Sequence, residues 1–177
     1  MLRALLTACL ATTLVMTVTV AHADPPSKDR VRQLLSAIDQ MPPATVWRAL
    51  GPGTLGVLIE LYDDPSEAPY IRMRTLVAAQ HYPVPAARTF LNAAASARGQ
   101  SDLFVRQALI SLGRAFGERA IDDVRPYLTH ADADVREGAV LSLSRIGTEA
   151  ARAALRDRLP RERNEIVRTA LQRALRD

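Results

Sequence analysis

Apolar residues recur at helical spacing in the C-terminal half of the chain. Three stretches, which follow residues 104, 134 and 166, each repeat apolar side chains every three or four positions and carry polar residues between them. A single apolar stripe of this kind is typical of a helix that packs on one face. The apolar positions are Val105, Ala108, Leu109, Leu112 and Phe116, then Val135, Ala139, Leu143 and Ile146, then Val167, Ala170, Leu171, Ala174 and Leu175.

One short element opens each of these helices and occurs once more upstream. It is a β-branched residue followed by arginine, and the four arginines are 34, 30 and 32 residues apart. They are Arg72, Arg106, Arg136 and Arg168. A constant period near 30 residues indicates a repeat protein.

Helix-capping residues precede three of the four arginines at the same offset. These residues are Asp102, Asp132 and Asn164, whose side-chain oxygens can accept the free N–H groups of a first helical turn. The remaining copy has alanine at this offset, and either Ser66 or Pro69 sets the start of its helix.

A shorter helix is predicted before each of these long helices. The shorter helices are predicted at residues 55–62, 86–97, 120–128 and 149–159, and Thr148 is the expected N-cap of the last. The links are only a few residues long, so neighbouring helices must run antiparallel. The repeating unit is therefore a helical hairpin, present four times.

An irregular fifth pair is predicted before the four hairpins. Ser27 caps its first helix, which directs Val31, Leu34, Leu35 and Ile38 inward. The prolines at 42 and 43 break that helix, and residues 44–50, with Trp47, form the second. Terminal repeats are expected to be irregular because their outer face meets water.

The copy around Arg136 carries a family resemblance. It begins Asp-x-x-Val-Arg-x-x-Ala at Asp132 and ends Ile-Gly at Gly147, and it resembles the HEAT repeat, in particular the bilin-lyase-like subgroup. The resemblance covers residues 53–177. It implies an all-α fold, an α-solenoid of about five stacked antiparallel hairpins in a right-handed superhelix.

The chain is accordingly divided into a leader, a cap and an array. The leader is residues 1–23, and the atypical N-terminal pair is residues 24–52. The four HEAT-like repeats are residues 53–84, 85–117, 118–148 and 149–177.

The resemblance also implies a function and a role for the recurring residues. HEAT arrays are mostly scaffolds that bind other proteins, so a non-catalytic interaction scaffold or adaptor is expected. In such arrays the matching Arg and Asp residues form a ladder between neighbouring repeats. A structural ladder is therefore implied for Arg72, Arg106, Arg136, Arg168, Asp102, Asp132 and Asn164.

A partner is expected on the second helices, which line the concave face of a HEAT array. The residues predicted to point there are Gln107, Arg114, Glu137, Arg145, Arg173 and Arg176. Their arginines would make a basic stripe for an acidic protein segment, a glycan carboxylate or a phosphate-rich envelope component. The alternative interpretation is scattered surface charge. The net charge of +4 is not gathered into a basic block, which disfavours nucleic acid as a partner.

The first 23 residues have the pattern of a secretory signal peptide. Arg3 precedes an uncharged, mostly apolar run that closes with Ala21-His22-Ala23. We expect cleavage after Ala23 and a periplasmic or secreted protein. Cys9, the only cysteine, would leave with the leader. Two alternatives remain, a lipoprotein box that acylates Cys9 and retention of the run as a membrane anchor.

The remaining residues present no catalytic pattern. His81 and His130 are not at metal-ligand spacing, and neither a nucleophile elbow nor a Cys–His pair is available. We therefore predict no catalytic residue, no cofactor and no metal. The alternative to a non-catalytic scaffold is a bilin-lyase-like enzyme or accessory factor that acts on a protein carrying a small molecule. Such lyases are cytoplasmic, whereas this chain is predicted to be exported.

Overall fold

The computed structural model describes residues 24–37 and 40–176, and these residues form helices and loops without a β-strand. The predicted leader, with Cys9, and Ile38 of the predicted first helix lie outside the described residues. The helices are α1 (Lys28–Leu35), α2 (Ala44–Ala49), α3 (Thr54–Asp63), α4 (Pro69–Ala79), α5 (Pro85–Ser96), α6 (Asp102–Phe116), α7 (Ile121–Val124), α8 (Ala133–Ile146), α9 (Glu149–Arg158) and α10 (Glu165–Arg176).

The second helices of the hairpins form one layer. In this layer α4 contacts α6, α6 contacts α8, and α8 contacts α10. Each first helix packs on the second helix of its own hairpin, as α3 does on α4 and α5 does on α6. The arrangement confirms the predicted all-α helical-repeat solenoid. Within the described residues, no helix is both long enough and apolar enough to cross a bilayer.

A continuous aliphatic core holds the stack together. A lone hairpin leaves its apolar stripe exposed on one side, and the next hairpin in the stack covers it. Successive helices accordingly contribute side chains with no solvent exposure, among them Leu58 of α3, Leu76 of α4, Leu109 of α6, Leu143 of α8 and Leu171 of α10.

The N-terminal pair covers one end of this core. Val31, Leu35 and Trp47 are fully buried in it. The end of α1 is held by Arg74 of α4, whose Nη1 donates to the carbonyl oxygens of Leu35 at 2.6 Å and Ala37 at 2.5 Å. The first helix therefore ends on a side chain from the following repeat.

Four of the predicted helix caps are confirmed. The Ser27 hydroxyl accepts the N–H of residue 30 at 3.3 Å. The Asp132 carboxylate accepts the N–H groups of residues 134 and 135, and the Asn164 side-chain oxygen accepts those of residues 166 and 167. The Thr148 hydroxyl accepts the N–H of residue 151. The helix of the Arg72 repeat starts with Pro69 at its first position.

The predicted cap at Asp102 is wrong by one residue. Ser101 is the N-cap of α6: its backbone is extended, and its carbonyl oxygen accepts the N–H groups of Phe104 and Val105. Asp102 is already the first helical residue, where its negative charge stabilises the positive end of the helix dipole.

The predicted helix over residues 120–128 is also corrected. Only α7, at Ile121–Val124, is α-helical, with 3-10 turns at Gly117–Ala120 and Arg125–Thr129 on its two sides. Pro126 lacks the N–H that would bond to the carbonyl of residue 122, and its ring crowds that carbonyl. The segment still occupies the place of a first helix, because Ile121, Val124 and Leu128 are buried in the core.

Two glycines bring α6 and α8 into close contact. A methyl group at Gly113 would lie 2.2 Å from the Ser142 hydroxyl oxygen, and one at Gly138 would lie 2.7 Å from Cγ of Arg106. The space that each glycine leaves is filled by a side chain of the other helix. The Ser142 hydroxyl also crosses the interface and donates to the carbonyl oxygen of Leu109 at 2.8 Å.

Candidate functional site

Three cavities lie along the layer of second helices and share lining residues, and we call them together the second-helix groove. A cavity of about 410 Å³ lies between α8 and α10, and one of about 400 Å³ lies between α6 and α8. A third, of about 320 Å³, lies where α2, α4, α6 and α8 end. Leu141 and Ser144 line both of the first two, and Arg114 and Arg145 line both of the last two.

Apolar side chains are exposed in the second-helix groove between α6 and α10. Leu141 of α8 is 40% exposed, and Ile166 of α10 is 68% exposed. Leu141 lines the cavity that Ile166 lines and also the cavity that the half-buried Ile110 of α6 lines. Apolar side chains left exposed in a groove are candidates for contact with a partner.

Most of the predicted partner-binding residues line the second-helix groove. Arg114 and Arg145 lie at one end, and Glu137 and Arg173 lie at the other. Gln107 is half-buried, and its side-chain amide donates to the Ser111 hydroxyl at 3.1 Å. The remaining residue, Arg176, is exposed in the last turn of α10.

The third cavity, which we call the arginine cavity, gathers cationic side chains from separate elements. Arg48 of α2, Arg114 of α6 and Arg145 of α8 line it together with Gln80 and His81, which follow α4. Burial lowers the pKa of His81, and the charges of Arg48 and Arg114 lower it further. Sequence reasoning did not assign Arg48 to a site, because the irregular N-terminal pair does not share the period of the repeats.

The repeat arginine Arg136 is held in a buried ion pair. It donates from Nε and Nη2 to the two carboxylate oxygens of Glu162, at 2.9 and 3.0 Å. Its Nη1 donates to the carbonyl oxygens of His130 and Ala131 just before α8. Arg158 reaches the same carboxylate at 2.6 Å.

Glu162, which receives these bonds, is only 3% exposed. Burial alone would raise the pKa of this carboxyl group. The opposing hydrogen bonds from Arg136, the Asn164 N–H and Arg158 outweigh that effect and lower the pKa to about 2. The carboxylate is therefore ionised at neutral pH and joins α8 to the loop between α9 and α10.

The other repeat arginines have different surroundings. Arg106 pairs with Glu137 of α8 at 3.0 Å. Arg72 donates to the carbonyl oxygen of Tyr62 at 2.7 Å, and its guanidinium lies over the Tyr62 and Phe104 rings. Arg168 is exposed.

The acceptors of these arginines are glutamates and carbonyl groups, and the aspartates implied by the resemblance do not take part. The position of the two aspartates accounts for this. Asp132 bonds to the first turn of its own helix, and Asp102 is exposed in the first turn of α6. Glu137 and Glu162 instead meet the arginine of a neighbouring hairpin.

A separate cavity of about 690 Å³ lies between α3 and α5. Its wall contains the rings of Tyr62 and Phe90, several alanines including Ala93, and the side chains of Arg72 and Gln100. Such a volume, with a mainly apolar lining and few polar groups, falls within the range of small-molecule sites.

His81 and His130, which are not at metal-ligand spacing in the sequence, have different surroundings in the structure. His81 lines the arginine cavity, and the His130 ring stacks on Tyr127 while its Nδ1 accepts the Asp132 N–H at 3.2 Å. Within the described residues, no group of three or more His, Cys, Asp or Glu side chains could hold a metal ion.

Stacked hairpins whose second helices form one layer define a helical-repeat protein. A family model described as HEAT repeats matches residues 94–176, which include α6, α8 and α10. The match supports a HEAT-repeat protein, and HEAT repeats typically mediate interactions between proteins. A comparison with curated proteins gave no match.

Proposed function

We propose that this chain is an exported, non-catalytic scaffold that holds a segment of another protein in the second-helix groove. The observation that carries the proposal is the continuity of the groove, whose adjoining cavities extend from α2 to α10. A surface that crosses several hairpins suits an extended or helical segment better than a compact small molecule. The HEAT family match supports the same class of partner.

The exposed apolar side chains of the groove would supply the affinity. Leu141 and Ile166 present aliphatic surface to water, and covering such surface gains about 25 cal/mol per Å². The groove walls are second helices anchored in the core, so the surface is formed before the partner arrives. A preorganised surface loses less entropy on binding.

The non-catalytic part of the proposal is supported by the positions of the titratable groups. Glu137 is engaged by Arg106, and His81 lies in the arginine cavity at the opposite end of the groove. Glu165, the other carboxylate of the cavity between α8 and α10, is likewise separated from His81. A carboxylate and an imidazole that line different cavities cannot act together on one bond.

Photo-crosslinking from inside the groove tests the scaffold function. A photoreactive phenylalanine analogue at Thr169, which lines the groove, should capture one defined protein in the cells that make this chain. The same analogue at Ala153, which is exposed on the first helix α9, is the matched control. Equal capture from both positions, or none from Thr169, would contradict the proposal.

Export rests on the sequence of residues 1–23 and has its own test. Protein purified from cells that express the full chain should begin at Asp24 when its N-terminus is sequenced. A chain that still begins at Met1 and stays in the cytoplasmic fraction would contradict export and leave the scaffold function intact.

A second candidate function, of the bilin-lyase-like kind, is favoured by the cavity between α3 and α5. Its aromatic and polar lining suits a flat conjugated molecule. Biliverdin is a suitable probe, and its absorption spectrum should shift on binding. Ala93→Trp should abolish the shift by filling the cavity, whereas Ala153→Trp should retain it. No shift with the unmodified protein would exclude this function for that probe.

A further inference from the structure

Charge is distributed unevenly along the second-helix groove. Among the described residues, no Asp or Glu lines the arginine cavity, which holds three guanidinium groups. The cavity between α8 and α10 has Arg173 but also Glu137 and Glu165. The groove is therefore cationic at one end and mixed at the other.

The arginines of the arginine cavity differ from other arginines that pair with a carboxylate of another hairpin. Arg32 pairs with Glu67, and Arg88 pairs with Asp123. The three in the cavity take part in no ion pair with the described residues. Arg114 has one polar contact, 3.5 Å from its Nη1 to the Gln80 amide oxygen.

Helix dipoles account for each of these arginines singly but not for their convergence. Arg48, Arg114 and Arg145 each lie in the last turn of a helix, where a cation is stabilised by the negative end of the dipole. That effect acts at any point around the helix end. Placing three like charges around one cavity adds mutual repulsion, which an anionic occupant would remove.

We propose that the arginine cavity is the acidic subsite of the groove. It accepts two or more neighbouring Asp or Glu side chains of the bound segment. Apolar side chains of the same segment cover Leu141 and Ile166. This inference rests on the proposed function and adds the chemistry of the partner. The forked guanidinium group matches the two oxygens of a carboxylate, so each arginine can make a bidentate pair.

Continuity favours a peptide over a free anion as the occupant. The arginine cavity shares Arg114 and Arg145 with the neighbouring cavity, which Ile110 and Leu141 also line. An isolated phosphate would use the cationic end and leave this apolar stretch uncovered. A segment with acidic residues followed by apolar residues matches both parts.

Binding of labelled hexaglutamate to the purified protein, followed by fluorescence anisotropy, tests the subsite directly. Arg48→Gln and Arg145→Gln should each weaken binding about tenfold, because each removes a charge-assisted hydrogen-bonding partner. Arg163→Gln removes an exposed charge outside the groove and is the control, with unchanged binding expected. Absent binding, or equal losses in all three variants, would overturn the inference.

Two further probes separate the occupant from other anions. Inorganic phosphate, or vesicles of phosphatidylcholine and phosphatidylglycerol, should not displace hexaglutamate at equal charge concentration. Phosphate or the vesicles could instead displace hexaglutamate from the unmodified protein but not from Arg48→Gln and Arg145→Gln. That result would mean a general anion site or a membrane-binding site, and the inference would be wrong.

Crosslinking from Thr169 distinguishes failure of this inference from failure of the proposed function. With both Arg48→Gln and Arg145→Gln present, capture of the partner should fall at least tenfold. Undiminished capture would overturn the acidic subsite while the scaffold function stands. Absent capture with the original arginines would overturn the scaffold function itself.

Discussion

Two arginines of the same helix, α8, have opposite surroundings. Arg136, in the first turn, has a side chain that is 12% exposed and is bound by both oxygens of Glu162. Arg145, in the last turn, is exposed and lines the arginine cavity. Position along α8 thus separates two uses of one residue type. The arginine near its start joins hairpins, and the arginine near its end lines the groove.

Replacing each of the two arginines by alanine should give the largest contrast. Arg136→Ala leaves the Glu162 carboxylate buried with fewer partners, and we expect a loss of about 3 kcal/mol in the free energy of unfolding. Arg145→Ala removes an exposed side chain and should change that energy by less than about 0.5 kcal/mol. Urea unfolding followed by circular dichroism measures both. Equal losses would contradict the division of roles.

Acid should weaken the ion pair between Arg136 and Glu162. The folded pKa of Glu162, about 2, lies below its ordinary value of 4.5, so its stabilisation is complete above about pH 4.5 and is lost as the pH falls toward 2. The stability difference between the unmodified protein and Glu162→Gln should therefore shrink over this range. A constant difference would show that the ionised carboxylate is not the stabilising species.

Gly138→Ala should displace Arg106, which packs against Gly138 across the interface between α6 and α8. The added methyl group would lie 2.7 Å from Cγ and 3.2 Å from Cα of Arg106, so α6 and α8 must shift apart. We expect a loss of about 1–2 kcal/mol, typical of overpacking and larger than the gain from helix propensity. Gly56→Ala is the control, because that position of α3 has open space around it. A stabilised Gly138→Ala protein would contradict the tight contact.

The smallest expected effect is on His81 of the arginine cavity. Its pKa lies below 6.5 because of burial and then because of Arg48 and Arg114, so Arg114→Gln should raise it. A folded pKa below the unfolded value also means that His81 favours unfolding as the pH falls through 6.5, and Arg114→Gln should lessen that effect. The pH dependence of the imidazole NMR signals measures the change. An unaltered pKa would place Arg114 farther from His81 than the cavity implies.

Much of the fold follows from periodicity, because apolar spacing and capping residues are local properties. The period of the repeat arginines located the second helices, and it identified Arg114 and Arg145 as facing outward. The partner of Arg136 was not predictable in this way. Glu162 lies in the loop between α9 and α10, outside the recurring sequence element, and the long arginine side chain can reach many acceptors.

The arginine cavity was likewise not predictable from the sequence pattern. Arg48 belongs to an irregular terminal pair, so its distance from Arg114 depends on how that pair closes the core. The length of α7 depended on Pro126, whose effect on a helix competes with the apolar pattern around it. Local patterns predicted which face each helix buries, whereas contacts between distant loops required the structure.

The bond from Arg74 to the end of α1 has a consequence for the order of assembly. The carbonyl oxygens of Leu35 and Ala37 acquire this donor only after α4 has formed and docked. The N-terminal pair is therefore a dependent unit, which completes its structure on a finished neighbour. During refolding it should become protected from hydrogen exchange after α4, and it should be the first part to open when the array unfolds.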